Sequence, residues 1–296
     1  MQIVPLTFAY TTHGRDRVGG TGPRGLVERG LLERLEERGH QVLPVVGVEL
    51  TPEEENQYGG WNLAARAGGR LAEAVQEIRR QWPQAFILGL LADCNAVTGM
   101  LGGLQAPLED PWPQRVGLVF VDAHGDYNTP DTSPSGMLGG MPVAIAAGKA
   151  LEEHRRQHGL RYPLQSPDIV MAGLRDLDDR EARAIEEDGL TVVHEEDLLD
   201  PEEAAARLMP QLEARQDVVY VHVDLDILDP KLAPAAGLPS PGGLSGAQLG
   251  AFLRALVAYP RAKALAVVSY RAHDDEDGRT GDEIIEAIVT ALEESA

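Results

Sequence analysis

The sequence predicts an α/β protein in which a mostly parallel central sheet is covered by helices on both faces. Apolar runs of strand length recur along the 296 residues and alternate with segments that repeat at helical spacing. This alternation is typical of parallel sheets packed between helices. The composition, 43% hydrophobic and 25% charged, is that of a globular protein and excludes a disordered chain.

Each predicted strand is a short apolar run, and most predicted helices carry acidic residues early and a Pro or Gly at one end. The predicted strands are Ile3 to Phe8, Gln41 to Val46, Phe86 to Leu91, Val116 to Val121, Asp168 to Ala172, Thr191 to His194, Val218 to Val223 and Ala264 to Val268. The predicted helices are Pro23 to Glu37, Ala64 to Trp82, Asp179 to Glu187, Pro201 to Arg215 and Asp282 to Glu294. No composition break, flexible linker or repeat divides the chain, so we expect residues 1–296 to form one domain.

The charge balance disfavours several classes of partner. The chain carries 26 Lys and Arg against 47 Asp and Glu, a formal charge of -21, which repels nucleic acid and anionic membranes. No segment approaches the roughly 20 apolar residues of a membrane span, and the first residues lack the features of a signal peptide. Cys94 is the single cysteine, so no disulfide forms within the chain. We therefore expect a cytoplasmic protein.

Potential metal ligands follow two of the predicted strands. They are Asp122, His124 and Asp126 after one strand, and Asp224 and Asp226 after the other. If the two strand ends converge, these acids repel one another unless cations lie among them. Asp and His ligands suit a divalent ion such as Mn²⁺, and this many carboxylates can bridge two ions. Each Asp taken alone could instead cap a helix or close a turn.

Five sequence blocks resemble the ureohydrolases, the family of arginase, agmatinase and formimidoylglutamase, over nearly the whole chain. The first two blocks are similar to that family's most specific metal-binding signatures. The blocks are Asp122-Ala-His-Gly-Asp-Tyr-Asn-Thr-Pro130, His222-Val-Asp-Leu-Asp-Ile-Leu-Asp-Pro230, Gly22-Pro23, Gly173-Leu-Arg-Asp-Leu-Asp178 and Leu238-Pro-Ser-Pro-Gly-Gly243. The resemblance implies an arginase-like, three-layer α/β/α fold and a homo-oligomer, trimeric or hexameric.

The resemblance also implies a site with two Mn²⁺ ions. Asp122 and Asp224 would bridge both ions, His124 and Asp226 would complete one, and Asp126 would complete the other. A hydroxide between the ions would attack a guanidinium-type carbon. Asp126 would also carry the proton to the leaving amine, as a catalytic general acid.

Three positions depart from the family pattern. Cys94 stands where the family's first metal motif has His, so we expect a thiolate ligand with a pKa lowered by a helix N-terminus, and other divalent metals become possible. The alternative is that Cys94 is a small buried apolar residue.

Two other departures concern catalysis. Gly139 occupies the slot of a catalytic-loop His. Ser269 or Tyr270 replaces a Glu that holds the guanidinium, and the nearby acids Asp274, Asp275 and Glu276 are interpreted as a solvated turn rather than a substitute.

Three further residues match the positions with which arginases hold the amino-acid end of their substrate. They are Asn128, Ser135 and Asp178. The resemblance thus implies a small guanidino or amidino amino acid as substrate, with a group less basic than plain guanidinium because the counter-charge is missing.

Other functions stay open from the sequence. The chain could be a non-catalytic, metal-binding descendant of the family, or a hydrolase of a formimino amino acid. The run Gly20-Thr-Gly-Pro-Arg-Gly25 has the spacing of a dinucleotide-binding loop, which would instead indicate a Rossmann oxidoreductase. That run does not directly follow the first predicted strand, and Pro23 suits the first turn of a helix.

Overall fold

The central sheet of the computed structural model is built from short, deeply buried strands. Residues 1–56, 58–108 and 111–293 are described. The strands are β1 (Gln2–Phe8), β2 (Tyr10–Thr11), β3 (Gly14–Arg15), β4 (Gln41–Val42), β5 (Val46–Gly47), β6 (Phe86–Leu91), β7 (Val116–Val121), β8 (Ile169–Ala172), β9 (Thr191–Val193), β10 (Val218–Asp224) and β11 (Ala262–Val268). Every residue of β6, β7 and β10 is buried, as expected for strands covered on both faces.

The helices connect these strands. They are α1 (Gly22–Glu28), α2 (Leu31–Glu37), α3 (Pro52–Glu55), α4 (Gly60–Gln81), α5 (Val97–Gln105), α6 (Pro142–Ala146), α7 (Glu152–Gln157), α8 (Asp179–Glu187), α9 (Pro201–Arg215), α10 (Gly246–Val257) and α11 (Arg279–Ala291). Among the helices described, none is both long and apolar enough for a membrane span.

The strand order confirms the predicted fold class. Within the described residues, the large sheet runs β4-β1-β6-β11-β10-β7-β8-β9, with β5 also pairing with β1, and all of its pairs are parallel. The short pair β2 and β3 is antiparallel and lies outside this sheet. The four central strands β6, β11, β10 and β7 are therefore neighbours.

Helices pack on both faces of the sheet, which gives three layers. Along β7, Val119 and Val121 belong to the core under α1, α2, α9, α10 and α11, whereas Leu118 and Phe120 belong to the core under α4, α5 and α8. Alternate side chains of a strand point to opposite faces, so one strand contributes to both cores.

Two predicted elements are broken in the structure. The predicted helix Pro23 to Glu37 is divided into α1 and α2 at Gly30, whose φ of 83° is left-handed. The predicted strand Gln41 to Val46 is divided into β4 and β5, which flank Pro44, a residue without the N–H that a sheet interior needs. The range of α8 and that of α9 are as predicted, whereas α11 begins at Arg279 instead of Asp282, and Glu294 lies outside the described residues.

Candidate metal centre

Four neighbouring strands end at one cleft. Cys94 lies just beyond β6, Asp122 just beyond β7, Asp224 ends β10 and Ser269 follows β11. All four residues line a cavity of about 570 Å³ at the carboxyl edge of the sheet. The two acidic strand ends that the sequence singled out therefore converge, at the edge where α/β proteins hold ligands.

The acids that follow β7 and β10 also hold the backbone of their own turns. Asp122 Oδ1 accepts a hydrogen bond from the backbone N–H of His124 at 2.6 Å, and Asp224 Oδ1 accepts one from that of Asp226 at 3.1 Å. Asp122 and Asp224 therefore do cap their turns, as the alternative interpretation proposed, but each uses one carboxylate oxygen for this and has a second oxygen for other contacts. Asp224 Oδ2 accepts from the Ser269 hydroxyl at 2.6 Å and from the Cys94 thiol at 3.0 Å.

The donor atoms form two groups that could each hold an ion. Cys94, Asp122 and Asp126 make one group, and Asp122, His124 and Asp226 make the other, with the donor atoms of each group within 4.8 Å of one another. His124 Nδ1 lies 3.4 Å from Asp122 Oδ1 and 3.2 Å from Asp226 Oδ2. Asp122 is shared, which is the geometry that a bridging carboxylate requires.

The buried acids oppose each other's ionisation. Burial, followed by the nearby charges of Asp226 and Asp224, raises the pKa of Asp122 well above its usual range. Burial and Asp224 do the same for the pKa of Asp126. Burial and Asp226 raise the pKa of Asp224 to about 7. Burial opposes the charge of His124, but hydrogen bonds to Asp122 and Asp226 outweigh that effect and raise its pKa to about 12.

These shifts test whether the residues suit a metal. Clustered carboxylates with raised pKa values are stabilised by added positive charge, and carboxylate, imidazole and thiol are ordinary ligands of divalent ions. The donor set therefore fits a pair of divalent cations.

The surroundings of Cys94 correct one expectation about its acidity. We expected a helix N-terminus to lower the pKa of the thiol. Instead, burial and the carboxylates of Asp224, Asp126 and Asp122 raise it well above its usual range, because all of these oppose a second negative charge nearby. The sulfur also lies 3.4 Å from Nε2 of His222, which burial keeps neutral by lowering its pKa to about 3. Cys94 is buried, yet its sulfur faces the acids.

Three residues that line the cleft, Val18, Asp126 and Ser269, have left-handed backbone conformations that are costly for residues other than glycine, and two of them carry predicted or hydrogen-bonded groups of the centre. Asp126 has a φ of 47° and Ser269 a φ of 71°. The Asp126 carbonyl accepts the N–H of Val143 at 3.0 Å, and the N–H of Ser269 donates to the carbonyl of Ala92 at 3.1 Å. These hydrogen bonds hold the turns that bring both side chains to the cleft.

The three predicted substrate-binding residues all line the same cleft. Asn128 Nδ2 donates to Asp178 Oδ2 at 3.0 Å, and Asn128 Oδ1 accepts from the Thr132 hydroxyl at 2.9 Å. Ser135 is exposed and accepts from the N–H of Met137 at 3.2 Å. Asn128 and Asp178 thus lie together, whereas Ser135 lies on a neighbouring surface loop.

The slot of the missing catalytic-loop His is open rather than refilled. A Cβ built at Gly139 would have Asn95 Nδ2 at 4.0 Å as its nearest neighbour, so no side chain takes the space of the missing His. Asp274, Asp275 and Glu276 do not line the cleft among the described residues. Asp274 and Glu276 are exposed, as the solvated-turn interpretation predicts, whereas Asp275 accepts from the Tyr270 hydroxyl at 2.8 Å and from the N–H groups of Thr280 and Gly281.

Asp176, Glu181 and Arg271 are among the residues that line the cleft and that the sequence analysis missed. Asp176 Oδ2 lies 3.8 Å from His124 Nε2. Glu181, 3% exposed, accepts from the N–H of Tyr127 at 2.8 Å, and its pKa is raised by burial. The spacing of Asp178 and Glu181, which form a capping box at the start of α8, was the available signal for Glu181.

The glycine-rich run near the N-terminus has a packing role. It does not follow β1 directly, because β2 and β3 intervene. A Cβ at Gly20 would lie 2.4 Å from the carbonyl oxygen of Ala9, and one at Gly22 would lie 2.4 Å from that of Tyr270. Close backbone packing accounts for these glycines without a dinucleotide.

Comparison with known proteins identifies relatives over most of the chain. A family model described as the arginase family matches residues 18–292. An arginase of Bacillus caldovelox is 31% identical over 250 residues, covering 82% of this chain and 80% of that protein. An arginase of Bacillus subtilis (strain 168) is 28% identical over 294 residues, covering 97% and 95%. The crystal structure of an arginase from Bacillus subtilis superimposes with a TM-score of 0.85 at 26% identity, covering 100% of this chain and 99% of the other.

Proposed function

The chain belongs to the arginase family of hydrolases, and from that premise we propose that it cleaves the amidino or guanidino C–N bond of an arginine-like amino acid in a metal-dependent reaction. The observation that carries the proposal is the pair of donor groups joined through Asp122 at the convergence of four strand ends.

We assign the cofactor as two Mn²⁺ ions, with another divalent metal as the alternative because of Cys94. Asp122 and Asp224 would bridge the pair, His124 and Asp226 would hold one ion, and Cys94 and Asp126 the other. Support for Asp122 as a bridge comes from the two overlapping donor groups. Asp224 belongs to neither group, and its support is its contact with the Cys94 thiol at 3.0 Å and its burial beside Asp226. When bound, the ions would supply Lewis acidity and an activated water, the chemistry that amidine hydrolysis needs at neutral pH.

The chain's own residues position the substrate and move the proton. Asp126, 7% exposed in the cleft, would take up a proton and pass it to the departing amine. Asn128, Ser135 and Asp178 would hold the amino-acid end. Holding both ends fixes the distal carbon against the attacking group, which accounts for much of the rate of such reactions.

The lack of an acid at Ser269 points to a less basic reacting group. A buried guanidinium without a counter-charge is costly, so an arginine whose guanidinium pKa is lowered by hydroxylation or other substitution should be preferred to arginine. A formimino amino acid is the second candidate for the same reason. The alternative is a non-catalytic descendant of the family, because Gly139 leaves the position of the catalytic-loop His without a side chain.

The test is a substrate comparison with the purified, Mn²⁺-loaded protein. The measurement is kcat/KM for arginine, N-hydroxyarginine, agmatine and formiminoglutamate, by release of urea, hydroxyurea or formamide. We expect N-hydroxyarginine to exceed arginine. Faster turnover of agmatine than of every amino acid would contradict the amino-acid assignment, and no turnover of any of them would favour the non-catalytic alternative.

A further inference from the structure

Arg271 brings a positive charge to a cleft lined by many acids. Among the described residues that line this cleft, it is the one Arg or Lys. We propose that Arg271 determines substrate specificity by binding a carboxylate at the end of the substrate opposite the reacting carbon. The proposal rests on the function proposed above, and it defines the substrate class as amidino or guanidino compounds with a free carboxylate.

The backbone after β11 brings both Ser269 and Arg271 to the cleft. Both residues line it, whereas Tyr270 between them is 2% exposed and packs in the core on one face of the sheet. Ser269 donates to Asp224 at the metal centre. Because Ser269 and Arg271 line one cavity, a ligand whose reacting end lies beside Asp224 and Ser269 can extend toward Arg271 within it.

This wall is fixed to the neighbouring loop. The carbonyl of Ser269 accepts from the N–H of Gly237 at 2.7 Å, and the N–H of Arg271 donates to the carbonyl of Ala235 at 2.9 Å. The base of the Arg271 side chain is therefore held in position before any substrate arrives, which lowers the entropy that binding has to overcome.

The guanidinium itself keeps its hydrogen-bonding capacity. Its Nε is buried but donates no hydrogen bond to the described residues. The acid at ion-pair distance is Asp274, with an oxygen 3.5 Å from Nε, and the Arg271 side chain is 30% exposed. A guanidinium donates in a planar fork that matches a carboxylate, so a substrate carboxylate is the partner that this group can bind best.

The same charge acts against cationic ligands that lack a carboxylate. A decarboxylated amine would bring a second cation near Arg271 without an anion to pair with it, and like charges at close range cost binding energy. Arg271 thus favours amino acids over amines in two ways: it attracts the carboxylate of an amino acid, and it repels the cation of an amine.

The test measures binding of L-ornithine and putrescine, which differ by one carboxylate, to the Mn²⁺-loaded protein by calorimetry. We expect Arg271→Met to weaken L-ornithine binding by about 10- to 100-fold, the usual effect of losing a charged hydrogen-bonded pair. Putrescine binding should stay within about 2-fold or improve, and Arg271→Lys should restore part of the L-ornithine affinity. The matched control is Arg24→Met, at an exposed position of α1 outside the cleft, which should change neither affinity.

The kinetic counterpart is a rise in KM for carboxylated substrates in Arg271→Met with a smaller change in kcat. Equal losses for L-ornithine and putrescine, or an unchanged preference for L-ornithine, would overturn the proposal, as would a wild-type protein that does not prefer L-ornithine. Loss of the preference in Arg271→Met without turnover of any amidine would uphold Arg271 and refute the proposed hydrolysis. Hydrolysis of an amidine, together with an unchanged preference for L-ornithine in Arg271→Met, would uphold the proposed hydrolysis and refute the role of Arg271.

Discussion

Single side chains at the cleft combine a structural and a chemical task. Asp224 caps its own turn with one oxygen and reaches the thiol of Cys94 and the hydroxyl of Ser269 with the other. Because one carboxylate supports both walls of the cleft, its neutralisation should affect metal binding more than the loss of a terminal ligand does.

Asp224→Asn tests the bridging assignment. The amide keeps the cap but loses the negative charge that two cations would share, so we expect the variant to lose more than half of its bound metal. Metal content per chain after desalting, measured by plasma mass spectrometry, checks this. Asp274→Asn, at an exposed acid outside the cleft, is the control. An unchanged stoichiometry in Asp224→Asn would disprove a dinuclear centre bridged by this residue.

Cys94→Ser tests the thiolate ligand with little change in volume. A thiolate is a soft ligand, so the substitution should weaken binding of Zn²⁺ or Co²⁺ more than that of Mn²⁺. The Co²⁺-loaded wild-type protein should show a sulfur-to-metal charge-transfer absorption that Cys94→Ser lacks. An identical spectrum in both proteins would mean that Cys94 is a buried small residue and not a ligand.

At the scale of elements, the sequence predicted those whose patterns were complete. The apolar runs predicted β6, β7 and β10, and the capping residues predicted α8 and α9. By contrast, the helix after Cys94, which is α5, was expected without bounds, because all of its residues are buried and it contains three glycines, which removes the periodicity that marks a surface helix. The convergence of Asp122 and Asp224 was predictable from strand ends, whereas Arg271 was not, since its position depends on the pairing of residues 269–271 with the loop at 235–237.

The contact between α4, α5 and α7 should give the protein a pH-dependent stability. His158, fully buried at the end of α7, bonds to the Thr98 hydroxyl of α5 and to the Ala64 carbonyl of α4. Burial, with a smaller effect of His154, lowers its pKa to about 3, against 6.5 in the unfolded chain. Its contribution to stability is therefore complete above pH 6.5 and is lost as the pH falls towards 3.

His158→Gln should remove that dependence. Between pH 6 and 4 the free energy of unfolding of the wild-type protein should fall more steeply than that of the variant, by up to about 1.4 kcal/mol per pH unit. Urea unfolding at several pH values measures the two slopes. The comparison of slopes separates this effect from any uniform loss of stability in the variant, and equal slopes would show that His158 does not titrate differently in the two states.

At the scale of the whole molecule, folding and metal binding should be linked. The acids of the cleft repel one another in the folded chain, and ions that bind the folded state alone stabilise it by about 2.7 kcal/mol at 100 times the dissociation constant. We therefore expect Mn²⁺ to raise the melting temperature by several degrees over the chelator-treated protein in calorimetry, and Asp224→Asn to lose most of this response. A melting temperature indifferent to Mn²⁺ in the wild-type protein would contradict the proposed site.

The assembly of the chain and its cytoplasmic location stay predictions. The ureohydrolase resemblance implies a trimer or a hexamer, and light scattering of the purified protein at several concentrations decides between these and a monomer.

The strand order determines when the site can exist during synthesis. The strands β6 and β10, which bring Cys94 and Asp224 to the cleft, are not paired with each other; β11 lies between them and pairs with both. The chain that has emerged from the ribosome up to residue 261 therefore lacks the strand that sets the spacing of these two residues. We therefore expect Cys94 to join Asp122, His124 and Asp226 only after β11 has been made, whereas these three residues follow β7 and β10, which pair directly with each other.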